Sequence, residues 1–170
     1  MAGKTQNRIK LALYGVVLLV ALLMDSAAFG ALHLRYTPSV VPIAVACIGL
    51  WEGTERGIIF GLIGGCALAW STELSMYGAW CILVLTVVGL AAGLLSERFL
   101  LQSWKTVFSI SAAALFACDG LYTMFLSMSG TLSAGAFFNE FLPKCLISLV
   151  FCAVFYPITA YISRIGGFHG

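Results

Sequence analysis

Nineteen consecutive residues, Tyr77 to Leu95, carry no charged side chain. As a helix rising 1.5 Å per residue they reach about 28 Å, close to the ~30 Å hydrocarbon thickness of a bilayer. The rest of the chain repeats the condition. Apolar residues make up 61% of it and charged residues 9%, against roughly 45–50% and about 25% in soluble domains. Nine basic and seven acidic side chains cannot give a 170-residue globule a charged exterior. The chain is therefore expected to be a polytopic integral membrane protein. The same arithmetic excludes a disordered chain and a secreted disulfide scaffold. A net charge of +2 also excludes a nucleic-acid binder that relies on neutralising phosphates.

Charged and turn-forming residues punctuate the chain into six apolar segments, approximately residues 9–30, 37–51, 57–70, 77–95, 106–126 and 142–162. The expected fold is an all-α bundle of six transmembrane helices forming a single transmembrane domain over 1–170. The second segment, opened by Pro38 and Pro42, and the third are short, and a re-entrant helical hairpin across 37–72 is their alternative reading. The first segment follows a basic stretch, as a signal peptide would. Asp25 sits badly before the weak cleavage signature Ala27-Ala28-Phe29, so it reads as a retained helix. With the amino terminus cytoplasmic, Lys4, Arg8, Lys10, Arg56, Arg98, Lys105 and Arg164 fall inside, while Arg35 and Lys144 fall outside. That asymmetry places both termini in the cytoplasm. The longest stretch outside the segments, Ser127 to Phe141, is too short for an extramembrane domain.

Glycine is the most patterned residue. Gly49, Gly53, Gly57, Gly61 and Gly65 recur at intervals of four, and Gly89 and Gly93 repeat the interval in the fourth segment. Residues i and i+4 share a helical face, so Gly57, Gly61 and Gly65 form a groove without side chains. Lipid supplies no hydrophobic drive between helices, and such grooves replace it by close backbone approach. The groove serves either packing within the chain or docking of a helix from another protein.

Catalytic apparatus is not apparent. Cys47, Cys66, Cys81, Cys118, Cys145 and Cys152 lie within or beside apolar segments with no CxxC or Cys/His cluster, and read as small apolar fillers. His33 and His169 are far apart, and no Walker loop, HExxH or GxSxG occurs. The expectation is a non-enzyme with no cofactor and no metal.

Ionisable residues at membrane depth each cost a few kcal/mol unless paired or hydrated. Asp119 falls about thirteen residues into the fifth segment, roughly 20 Å from its start. Asp25 lies at similar depth in the first, Glu73 ends the third, and Glu140 precedes the sixth. All four acids belong to the outer half. Either Asp25 or Asp119 pairs with Arg35 or with backbone amides at helix ends, or the acids form a site for a cationic ligand or a partner's basic residue. A proton or ion pathway is the third reading, and it would normally show a chain of such residues through the whole membrane. The turns Glu52–Arg56 and Glu97–Arg98 read as solvated loops or as a contact surface, with Trp104 at the headgroup level.

The order of these features resembles a known family. A basic tail and first helix lead to Arg35-Tyr36-Thr37-Pro38 through Pro42, then to Trp51-Glu-Gly-Thr-Glu-Arg-Gly57-Ile-Ile-Phe-Gly61-Leu-Ile-Gly-Gly65. Tyr77-Gly78, Val88-Gly89-Leu-Ala-Ala-Gly93-Leu-Leu and Phe141-Leu142-Pro143 follow. This looks like the rod shape-determining MreD family, over approximately residues 9–164. The resemblance implies a fold similar to the six-helix substrate-binding (S) component of energy-coupling-factor vitamin transporters. It also implies a non-catalytic scaffold of the bacterial cell-elongation complex in the inner membrane, in contact with lipids. Such a scaffold binds MreC and helps couple MreB to peptidoglycan synthesis by RodA and its transpeptidase. Where members often carry an acid after the glycine matching Gly65, this chain has Ala69, and its nearest acid is Glu73. The competing class is an S component holding a vitamin at the outer mouth, for which Asp25, Trp80, Asp119, Tyr122 and Glu140 are the candidate residues.

Overall fold

A computed structural model of the chain describes residues 2–25, 38–71, 76–99, 104–128, 135, 139 and 141–165. Helix α1 runs Ala2–Leu23, α2 Val41–Glu52, α3 Thr54–Ser71 and α4 Met76–Phe99. Helix α5 runs Trp104–Leu115, widens into a π-helical segment Phe116–Gly120 and continues over Leu121–Met128. Helix α6 runs Leu142–Ile165 and carries Pro157 in its interior. No strand occurs among the described residues. Two helices contain stretches long and apolar enough to cross a membrane, Met76–Glu97 in α4 and Leu142–Arg164 in α6.

The second segment departs from the expected span. Pro42 stands in the first turn of α2, where its missing N–H costs no helical bond, and the whole helix is twelve residues long. Twelve residues make about 18 Å, well short of the ~30 Å a crossing requires. Every residue from Val41 to Leu50 is buried, and α1, α3, α4, α5 and α6 all pack against this one helix. It is the core around which the others are arranged. An apolar run without a polar face is what such a position selects.

Gly53 ends α2 with φ of +85°, a conformation in which a side chain is strained. The chain turns back there, and the Gly53 N–H donates to the Gly49 carbonyl while the Gly57 N–H donates to the Gly53 carbonyl. Helices α3 and α4 then form an antiparallel pair, in which partner numbers on α4 fall from Gly93 to Ile82 as those on α3 rise from Thr54 to Gly65.

Helix α6 turns an apolar face outward and sets two hydroxyls among the apolar residues of its inner face. Leu146, Val150, Val154 and Tyr161 on α6 are exposed, whereas Ser148, Cys152, Thr159 and Ile162 are buried. Thr159 Oγ returns its hydrogen bond to the Phe155 carbonyl, and Ser148 Oγ to the Lys144 carbonyl, so neither hydroxyl is left unsatisfied. Helix α1 exposes Val16, Leu19, Val20 and Leu23 and turns Tyr14, Leu18 and Ala21 inward.

Candidate functional site

The glycine ladder closes on the chain itself. A Cβ at Gly61 would stand 2.4 Å from the Leu85 carbonyl oxygen, one at Gly65 2.5 Å from Ile82 Cα, and one at Gly93 2.4 Å from Thr54 Cα. At the centre three helices meet on three glycines. A Cβ at Gly49 of α2 would lie 2.9 Å from the Gly89 carbonyl oxygen of α4 and 3.6 Å from Gly57 Cα of α3. Gly57, Gly61 and Gly65 therefore hold α4 in the groove that a foreign helix would have used. The reason is proximity along the chain, because α4 begins within a few residues of the end of α3. Gly53 is not part of the groove; it forms the turn, and the Glu97 carboxylate stands against it.

A polar chamber of about 200 Å³ lies at the opposite end of these helices, where α3 ends and α4 and α6 begin. Asp25, Pro38, Ser39, Pro42, Leu68, Ser71, Tyr77, Cys81, Cys118 and Lys144 line it. Asp25, just past α1, caps the buried start of α2. Its Oδ1 accepts the Val40 N–H at 2.7 Å and its Oδ2 the Val41 N–H at 3.1 Å. A carboxylate suits that place because the first turn of a helix offers unpaired N–H donors and a positive dipole end.

Asp119 lies in the π-helical segment, next to the lining residue Cys118, and is not itself part of the chamber wall. Its side chain is 7% exposed and its Oδ1 meets Lys144 Nζ at 3.1 Å. The Tyr77 hydroxyl donates to the same oxygen. A π-turn inserts an extra residue and loosens the carbonyl ladder, and here the Trp80 indole N–H donates to the Ala117 carbonyl at 3.1 Å. The structure thus brings together Asp25, Asp119 and Lys144, which the sequence placed in one half of the membrane. It adds Tyr77, Ser39 and Ser71. Glu73 and Glu140, as well as the side chain of Tyr122, lie outside the described residues.

At the Glu52 end the turns are solvated at Glu55 and Glu97 but not at Glu52. The Glu52 side chain is only 2% exposed and is paired with both Lys10 of α1 and Arg56 of α3. Arg56 also reaches Asn7. Three helices converge on one carboxylate that water scarcely reaches. Glu97 Oε1 accepts the Thr54 N–H at 2.7 Å and so caps α3 from the end of α4. Tyr156 of α6 packs between Trp51 and Trp104, with ring centroids 5.9 Å and 4.8 Å away. Of the six cysteines, all free thiols, Cys47, Cys81, Cys118 and Cys152 are buried fillers, whereas Cys66 is exposed.

No protein-family model, curated protein or solved structure matches the chain.

Proposed function

We propose that the chain is a multi-pass, non-catalytic scaffold of the bacterial inner membrane, similar to MreD, with both termini in the cytoplasm. It binds MreC and helps couple MreB to peptidoglycan synthesis by RodA and its transpeptidase. Charge placement and the order of motifs along residues 9–164 support the assignment. The observation that carries it is the division of the molecule into a fixed interior and an apolar exterior. The glycines are consumed in welding α2, α3 and α4 together, while the described charged side chains of the interior are paired or cap a helix. What remains for another protein is the outward apolar face of helices such as α6, through Leu146, Val150 and Val154. A single transmembrane helix is a partner that matches such a face.

The vitamin-binding alternative has the chamber in its favour. Against it stands size: about 200 Å³ is below the roughly 300–1,000 Å³ of pockets for drug-sized ligands. The Trp80 N–H is also already committed.

Photo-crosslinking in native membranes tests the scaffold. A photoreactive residue at Val150, which is 68% exposed, is expected to capture MreC, and Gly61→Leu is expected to abolish that capture by prising α3 from α4. Capture of lipid alone from Val150 and from Val16 on α1 counts against the scaffold.

A further inference from the structure

We propose that the outward face of α6 holds a partner's transmembrane helix through a hydroxyl that donates to the Ala153 carbonyl. The inference rests on the multi-pass scaffold reading and names the chemistry of the contact.

Pro157 lies inside α6, and proline has no backbone N–H. The Ala153 carbonyl therefore lacks the donor, four residues on, that would close its helical turn, and the proline ring pushes against that oxygen. Ala153 and Pro157 are both exposed, as are Val150, Val154 and Ile158 around them. The acceptor without its rung thus stands on the apolar outer face. Hydroxyls in this part of the bundle are committed elsewhere. Thr159 Oγ donates to the Phe155 and Tyr156 carbonyls, Ser163 Oγ to the Ala160 carbonyl, and the Tyr14 hydroxyl to the Thr159 carbonyl.

Depth decides what can fill the gap. Ala153 is about 17 Å from the start of α6 and about 18 Å from its end. It is the middle of a stretch long and apolar enough to cross a membrane. Hydrocarbon supplies no donor there, and an unsatisfied backbone group costs several kcal/mol. The donor must arrive on another helix. A serine or threonine hydroxyl adds the least polar surface to a transmembrane segment, and Ala153 has too little bulk to keep the partner's backbone away.

The test uses the full chain in phosphatidylcholine vesicles and reads Förster transfer to a synthetic transmembrane leucine helix. The helix carries one central serine, or alanine in its place. The serine helix is expected to associate about three- to tenfold more tightly. Pro157→Ala restores the missing N–H at an exposed position and is expected to abolish that preference without loss of stability. Ala153→Leu holds the partner's backbone away and is expected to abolish it as well. Equal association of the two helices overturns the proposal, as does a preference that survives either substitution. Photo-capture of MreC from Val150 separates this contact from the scaffold. Capture that is equal in the parent chain and in Pro157→Ala sinks the hydroxyl contact and leaves the scaffold intact. A serine preference lost in Pro157→Ala, with no capture of MreC, supports the contact and counts against MreC as the partner.

Discussion

Gly57 and Gly89 meet backbone to backbone: a Cβ at Gly89 would stand 2.1 Å from the Gly57 carbonyl oxygen, and one at Gly57 2.3 Å from that of Gly89. Neither obstacle is a flexible side chain, so the helices themselves must part. Gly89→Ala is expected to cost more than about 3 kcal/mol, beyond the usual range for overpacking. Gly15→Ala, where a Cβ meets nothing within 4 Å, is expected to be neutral or to gain up to about 1 kcal/mol of helix propensity. Reversible unfolding in mixed micelles separates the two, and equal stabilities would refute the seam.

The Asp25 carboxylate holds the start of α2 through two N–H groups. Asp25→Ala removes both acceptors and is expected to cost about 1–2 kcal/mol, while Asp25→Asn retains most of the stability. Amide hydrogen exchange at Val40 and Val41 provides the local readout, rising in the alanine variant and little in the asparagine one.

Lys144 neutralises a carboxylate that water scarcely reaches. Lys144→Met leaves Asp119 buried and unpaired, with an expected loss of about 3 kcal/mol. Adding Asp119→Leu removes the orphaned charge and is expected to restore most of the loss. A double-mutant cycle measures the coupling directly, and strict additivity would mean the pair does not interact.

Glu52 and Glu55 are three positions apart and face different surroundings. Glu52 is bound by Lys10 and Arg56, and Glu55 is exposed. Glu52→Ala is expected to destabilise by roughly 3 kcal/mol, as a broken buried pair does, and Glu55→Ala to stay within about 0.5 kcal/mol. Thermal melts of the two variants check the contrast.

These contrasts mark where the sequence was legible. The glycine ladder could be read because the four-residue interval is a property of any helix, and the partner was the only open question. The brevity of α2 was visible in Pro38 and Pro42. Backbone amides were one of the alternatives for Asp25, and Lys144 was one of the two basic residues in its half. Tyr77 was not legible as a partner of Asp119, since forty-two positions separate them and only tertiary packing joins them. The π-turn has no signature in Phe116-Ala-Cys-Asp-Gly120. Glu52 was misjudged for a related reason: a charge-rich turn looks solvated until the helices that roof it are in place.

The enclosure of α2 bears on how the protein is made. A helix of about 18 Å that packs against five neighbours, with Val41–Leu50 all buried, is too short to cross hydrocarbon by itself. Its resting place does not exist until α3 to α6 have been synthesised. In the proposed multi-pass protein, the nascent chain would keep Val41–Glu52 in waiting, at the bilayer interface or within the insertion machinery, and fold it inward as the later helices arrive. Truncation after α4 would leave it without a home, and proteolytic sensitivity within 41–52 would report that waiting stage.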